Sequence, residues 1–161
     1  MDRYKVFARE FELLCESQMK TGSLEGRIII QKIAYLLYRK GIETNYTDFS
    51  WYLHGVICWN LWYDVIRSWD VTPQDISAEV TYSVNSAKDS FRNASLTEYF
   101  STSNGLELIT TILFLAHKPE ELKEDNKDLI LDVLSHKNKY TEQEIRVAIT
   151  KLRSLEWVNF K

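Results

Sequence analysis

The residue types best suited to chemistry in this chain are cysteine and histidine. The cysteines are Cys15 and Cys58, and the histidines are His54, His117 and His136. None of the histidines has a cysteine or acid neighbour at a convincing metal-site interval, and the two cysteines lie far apart in sequence. His54 and Cys58 stand four residues apart, a spacing that shares one helical face. A nucleophile also needs an orienting partner and an oxyanion donor, and neither can be named here. Glu120, Glu121, Glu124 and Asp125 gather behind Pro119, where carboxylates favour the first turn of a helix at an exposed boundary. There is no glycine-rich phosphate loop. The chain is therefore read as non-enzymatic, with no catalytic residue, metal or cofactor assigned.

Two other groups are suited to binding. Lys137, Lys139, Arg146, Lys151 and Arg153 surround the last helical pattern. Such cations can contact phosphates while an exposed helix enters a major groove. Glu142 and Glu144 lie close by and the whole chain carries a formal charge of -3, so an ordinary solvated face competes with DNA. The second group is aromatic. Trp51, Trp59, Trp62, Trp69 and Trp157 exceed what two or three helix contacts need. Rings left at a surface anchor interfaces, because they bury much area with few rotors to freeze. Trp51, Trp59 and Trp157 are the candidate interaction residues, joined by Arg27 and Lys32 from the acid-free segment 26–42, whose charge would set orientation. The expected function is a non-catalytic regulatory or protein-interaction module, its partner another protein or a second copy. A DNA-binding regulator is the alternative, and no small-molecule ligand is indicated.

A chain of 161 residues, 45% hydrophobic, is long enough for one self-sufficient core. Gly and Pro are scarce, which favours long helices. The charged stretch Asp2–Glu12 does not read as a signal peptide, and no apolar run reaches membrane-spanning length. The cysteines read as reduced thiols, and a cytoplasmic protein is expected.

The elements that must position these residues follow from periodicity. Residues 3–19 place Tyr4, Phe7, Ala8, Phe11, Leu14, Cys15 and Met19 on one face. Ser23 caps a second helix at about 26–40, Gly26 allows close approach of another element, and Gly41 ends the run. Its apolar face carries Ile28, Ile29, Ile30, Ile33, Leu36 and Leu37, and its exposed positions include Arg27, Lys32, Arg39 and Lys40. Asp48 or Ser50 opens a third helix at about 50–68, with His54-Gly55 interrupting its early turns so that it can begin extended. Trp62, Ile66 and Trp69 share its stripe.

Thr72-Pro73 predicts a fourth helix start, and helix is favoured over strand across 76–84. Ser95 with Glu98 fits a capping box before a short turn, Asn104 suggests another start, and 106–115 reads as a buried central helix. Further helices are predicted over 126–136 and from Thr141, where Glu144 closes a capping box. Glu156–Phe160 reads as a short edge strand. The expected fold is mainly α: one compact helical domain over 1–161, divisible into a helical core 1–93 and a segment 94–161 of winged-helix-like character.

The run Gly26-Arg27-Ile28-Ile29-Ile30-Gln31-Lys32-Ile33-Ala34-Tyr35-Leu36-Leu37 resembles the opening motif of the YwgA-like prokaryotic proteins, which look like GRxxLQKLVYLL. A phenylalanine and a tyrosine-glycine-proline segment follow in that family. Here they correspond to Phe49 and to Tyr52-Leu53-His54-Gly55-Val56, with Val56 where proline is usual. A related pattern occurs in the Panacea or SocA-like antitoxin domain. The resemblance covers about residues 26–65. It implies a helical fold with winged-helix character that acts through protein contacts. It also marks Gly26, Gln31, Lys32, Tyr35, Phe49 and Gly55 as motif positions, with Gln31 and Lys32 expected to cross-link helices and Tyr35 to pack with a polar tip.

Overall fold

The computed structural model describes residues 2–42, 44–68, 72–155 and 157. The first helix, α1 (Arg3–Cys15), starts where the Asp2 carboxylate accepts from the Tyr4 N–H at 3.0 Å. It buries Tyr4, Phe7, Ala8, Phe11 and Leu14, the stripe its spacing predicts. Ser23 caps α2 (Leu24–Arg39), its Oγ accepting from the Gly26 N–H at 3.1 Å. Gly26 is required by contact: a Cβ there would lie 2.0 Å from the Lys20 carbonyl oxygen. After α2, Gly41 takes a φ of 87°.

Two short antiparallel strands follow, β1 (Ser50–Tyr52) and β2 (Gly55–Ile57), with Trp51 opposite Val56. Four helices complete the order after α3 (Trp59–Arg67): α4 (Ala78–Asn93), α5 (Ser103–Leu115), α6 (Lys127–His136) and α7 (Glu142–Arg153). The protein is thus mainly helical, with one small hairpin among the described residues.

The centre is the pair α2 and α5. Ile30, Ile33, Leu36 and Leu37 of α2 and Leu106, Ile109, Ile112 and Leu113 of α5 are inaccessible to solvent. α5 is apolar nearly all round because α2, β2, α6, α7 and the 3-10 turn Thr97–Ser101 all pack on it. α1 covers the other side through α4, α2 and α3. The two segments 1–93 and 94–161 therefore meet along the α2–α5 contact within a continuous apolar cluster.

Several sequence expectations need correction. Residues 50–57 form a hairpin, the extended beginning that His54-Gly55 allows, so the helix expected from about 50 runs only over Trp59–Arg67. Gly55 has a φ of 98°, a left-handed region that favours glycine, and aromatic residues suit the pleated strand before it. The buried stripe of α3 is Leu61 and Val65, while Ile66 is exposed. The fourth helix starts after Ser77, whose Oγ accepts from the Val80 N–H, and not at Thr72-Pro73. There the Gln74 N–H is held by the Lys5 carbonyl of α1 at 3.1 Å, which keeps that stretch out of a helix. Beyond Ser77 the helical reading of this region holds.

Thr102, not Asn104, caps α5 by accepting from the Gly105 N–H at 3.0 Å; Asn104 instead receives Lys139 and Tyr140. Ser95 makes no cap, and Glu98 pairs with Lys151. Lys32 and Arg39, placed on the exposed face of the second helix by periodicity, are 1% and 5% exposed, because the hairpin and α5 cover that side. Trp69 and most of Glu156–Phe160 lie outside the described residues.

A candidate binding site between α2 and the hairpin

Consecutive residues on α2 reach the hairpin and the loop behind it. The Gln31 Oε1 accepts from the backbone N–H of Cys58 at 2.8 Å. The Lys32 ammonium donates to the His54 carbonyl at 2.5 Å and reaches the Val56 carbonyl at 3.5 Å. Gly55 makes room for it, since a Cβ at that position would stand 3.1 Å from Nζ. Gln31 thus links α2 to the start of α3 at its N-cap residue Cys58, the helix–helix link the sequence predicted, whereas Lys32 links α2 to the hairpin instead.

One turn on, Tyr35 packs edge-on against Phe49, with ring centroids 5.2 Å apart, and its hydroxyl accepts from Arg39. Arg39 also donates to the Leu113 carbonyl of α5 at 2.9 Å. The motif positions Gly26, Gln31, Lys32, Tyr35, Phe49 and Gly55 are therefore what seats α2 against its neighbours.

Gln31 and Lys32 also line a recess of 230 Å³, together with Ile28, Tyr52, Val56, Trp59 and Trp62. Among the described residues no carboxylate lines it. The Gln31 Oε1 is fixed by the Cys58 N–H, so its other terminal atom is the amide Nε2, which is buried and has no hydrogen-bond partner among the described residues. Burial depresses the Lys32 pKa to about 8, opposed by Glu107 and reinforced by Lys137 and Lys139. Glu107 itself is committed. It receives Lys137 at 3.1 Å, Lys139 at 2.7 Å and the Tyr140 hydroxyl at 2.8 Å. Burial pushes its carboxyl up, but those three hydrogen bonds prevail and hold it below the ordinary carboxylate range.

Outside the recess runs an aromatic ridge. Trp59 is 39% exposed, with the Tyr52 ring 4.9 Å and the Tyr63 ring 6.4 Å away, centroid to centroid. Leu53 at the hairpin tip and Ile66 on α3 are 74% and 52% exposed. Sequence reasoning found Trp59 here but missed Tyr52, Leu53, Tyr63 and Ile66. The signal was present: Trp59, Tyr63 and Ile66 recur at helical spacing on the face opposite Leu61 and Val65.

The other candidates lie elsewhere. Arg27 donates to the Thr21 carbonyl at 2.8 Å. Trp51 is half-buried against Phe114 and His136, with Lys137 over its ring. Trp157 donates from Nε1 to the Leu152 carbonyl and packs by Phe91 and Lys40. Of the C-terminal cations, Lys137 and Lys139 hold Glu107, Arg146 holds Glu142 and the Glu124 carbonyl, and Lys151 holds Glu98. Arg153 is exposed, with no partner among the described residues.

Cys58 is buried, His54 is exposed and Cys15 is a free thiol that burial pushes up to about 12. Among the described residues no three His, Cys, Asp or Glu side chains gather in a metal-holding group, and no helix is long and apolar enough to cross a membrane. Comparison of the chain with protein-family models, curated proteins and solved structures finds no match.

Proposed function

We propose that this protein is a non-catalytic regulatory module of the cytoplasm that works by binding another protein through the ridge of Tyr52, Leu53, Trp59, Tyr63 and Ile66. The observation that carries this reading is the exposure of these five large side chains on adjoining elements, beside a recess with buried donors. Aromatic anchors of this kind supply most of the energy of an interface from a few positions. The YwgA-like and antitoxin-like resemblance of 26–65 points the same way. Light scattering and affinity capture test it. Complex formation, with a second copy or another protein, should be weakened roughly thirtyfold by Tyr63→Asp with Ile66→Asp, a loss of about 2 kcal/mol at hot-spot positions. Unchanged thermal melting would show that the fold is kept. A strictly monomeric protein that captures nothing, or a complex indifferent to both substitutions, would remove the reading.

DNA binding by a winged-helix-like regulator is the second reading. It is supported by the helix pair α6 and α7 across the turn 137–141 and by the exposed Arg153, which has no partner among the described residues. It ranks lower because the other four cations already hold acids or carbonyls.

A further inference from the structure

We infer that the recess between α2 and the hairpin captures the terminal carboxylate and apolar last side chain of a partner polypeptide. The inference rests on the protein-binding reading and names what the partner must present.

Donors come first. An ammonium has three protons, and Lys32 places one close to the His54 carbonyl, with the Val56 carbonyl at the limit of bonding distance. The Gln31 amide offers two more protons with no acceptor among the described residues. A buried amide left unpaired costs about 1–3 kcal/mol, a cost that an acceptor entering the recess removes. A carboxylate has two acceptor oxygens and a charge opposite to that of Lys32, which suits a recess lined by both an amide and an ammonium donor.

Charge and size narrow the choice. The acid nearest in influence to Lys32 is Glu107 on α5, already ion-paired with Lys137 and Lys139 and hydrogen-bonded by Tyr140. On the hairpin side His54 and Tyr52 line the recess and neither is a carboxylate, while Asp48 lies outside the lining and acts on Cys58 beside Gln31. The field at the donors is therefore positive. A volume of 230 Å³ lies below the roughly 300–1,000 Å³ of sites for drug-sized ligands and suits one side chain with its headgroup. Ile28, Trp59 and Trp62 supply an apolar wall for that side chain. The recess shares Tyr52 and Trp59 with the exposed ridge, so a polypeptide ending in it continues across the ridge. A free small acid gains only the recess.

Fluorescence of the wall tryptophans and calorimetry test this with N-acetyl-Ala-Ala-Phe, its C-terminal amide, and N-acetylphenylalanine. The peptide acid should bind at least about tenfold more tightly than the amide, the worth of one charge-assisted hydrogen bond. Its affinity should fall as pH rises past 8, while the weak affinity of the amide stays level. Lys32→Met should abolish the discrimination with the helical circular dichroism retained. Should that variant fail to fold, Gln31→Glu provides the same reading by repelling the acid. Equal binding of acid and amide, or no binding of either at millimolar concentration, overturns the inference. Equal affinity for N-acetylphenylalanine and the tripeptide assigns the recess to free acids and also overturns it. Tyr63 and Ile66 do not line the recess, so complex formation lost on their substitution without peptide-acid binding would leave the ridge standing and the recess inference refuted.

Discussion

Lys32 shows how one residue can be read correctly as important and wrongly as exposed. Its place in the charge pattern of α2 predicts a solvated side chain, yet it is 1% exposed and tied to two hairpin carbonyls. The consequence is measurable through proton linkage. The folded pKa is about 8, whereas lysine in an unfolded chain titrates near 10.4. Between those values the unfolded chain binds more protons, so this group makes stability rise with pH across that window. The full effect is on the order of 3 kcal/mol. Cys15 acts in the opposite sense: its folded thiol keeps its proton up to about 12, while an unfolded thiol loses it near 8.5, so its contribution falls as pH rises. Cys58 and the tyrosines raised by burial act in the same sense as Cys15, so the raw profile mixes all of these, and the difference between the parent and Lys32→Met isolates the lysine. Urea melts should show the parent gaining on Lys32→Met by on the order of 3 kcal/mol from about pH 7.5 to about pH 10.5. A constant difference would mean that Lys32 titrates as a solvated lysine.

At the scale of elements, the organising role of α2 predicts a contrast between two leucines. Leu36 is fully buried, so Leu36→Ala should cost about 2–5 kcal/mol in denaturant melts. Leu131 is 62% exposed on α6, so Leu131→Ala should stay within about 0.5 kcal/mol of the parent. Similar small effects at both positions would deny α2 its place in the core. The elements legible in the sequence are those specified by their own residues. Ser23, Asn126 and the Thr141–Glu144 box satisfy amides three residues away, and the apolar periods of α1, α5, α6 and α7 each name their own buried face, whereas that of α2 names Ile30, Ile33, Leu36 and Leu37 but not the buried Gln31, Lys32 and Arg39. The hairpin was less legible, because Trp51, Val56 and Trp59 fit an apolar helix as well as a strand until Gly55 and the cover it lays over Lys32 are known. Thr72-Pro73 carries a real local signal that loses to a tertiary one, the Gln74 N–H bonded to α1. The motif residues were legible as a set, but the target of Lys32 was not: nothing local in Lys32 shows that a hairpin folds back to meet it.

Across the whole molecule, charge and apolar surface are treated differently. Basic residues are mostly spent inside the protein. Lys137 and Lys139 clamp the 7%-exposed Glu107, and Lys151 ties α7 to the turn at Glu98. Large apolar side chains, by contrast, are left in the open along α3 and the hairpin tip. A protein selected to hold DNA would keep its cations available, since phosphate contacts supply most of the affinity and make it salt-dependent. The two uses of Lys137 and Lys139 predict opposite outcomes for one double variant. If they are internal counter-charges, Lys137→Ala with Lys139→Ala removes the lysine partners of a buried carboxylate and lowers stability by on the order of 3 kcal/mol. Residual DNA binding at low salt then stays the same. If they are phosphate contacts, the melting transition stays put, DNA affinity drops at every sequence, and the salt slope shrinks by about one per lost contact. The committed geometry of Glu107, bonded by both lysines and by the Tyr140 hydroxyl, predicts the first outcome, and a titration paired with a melt of the same variant separates them.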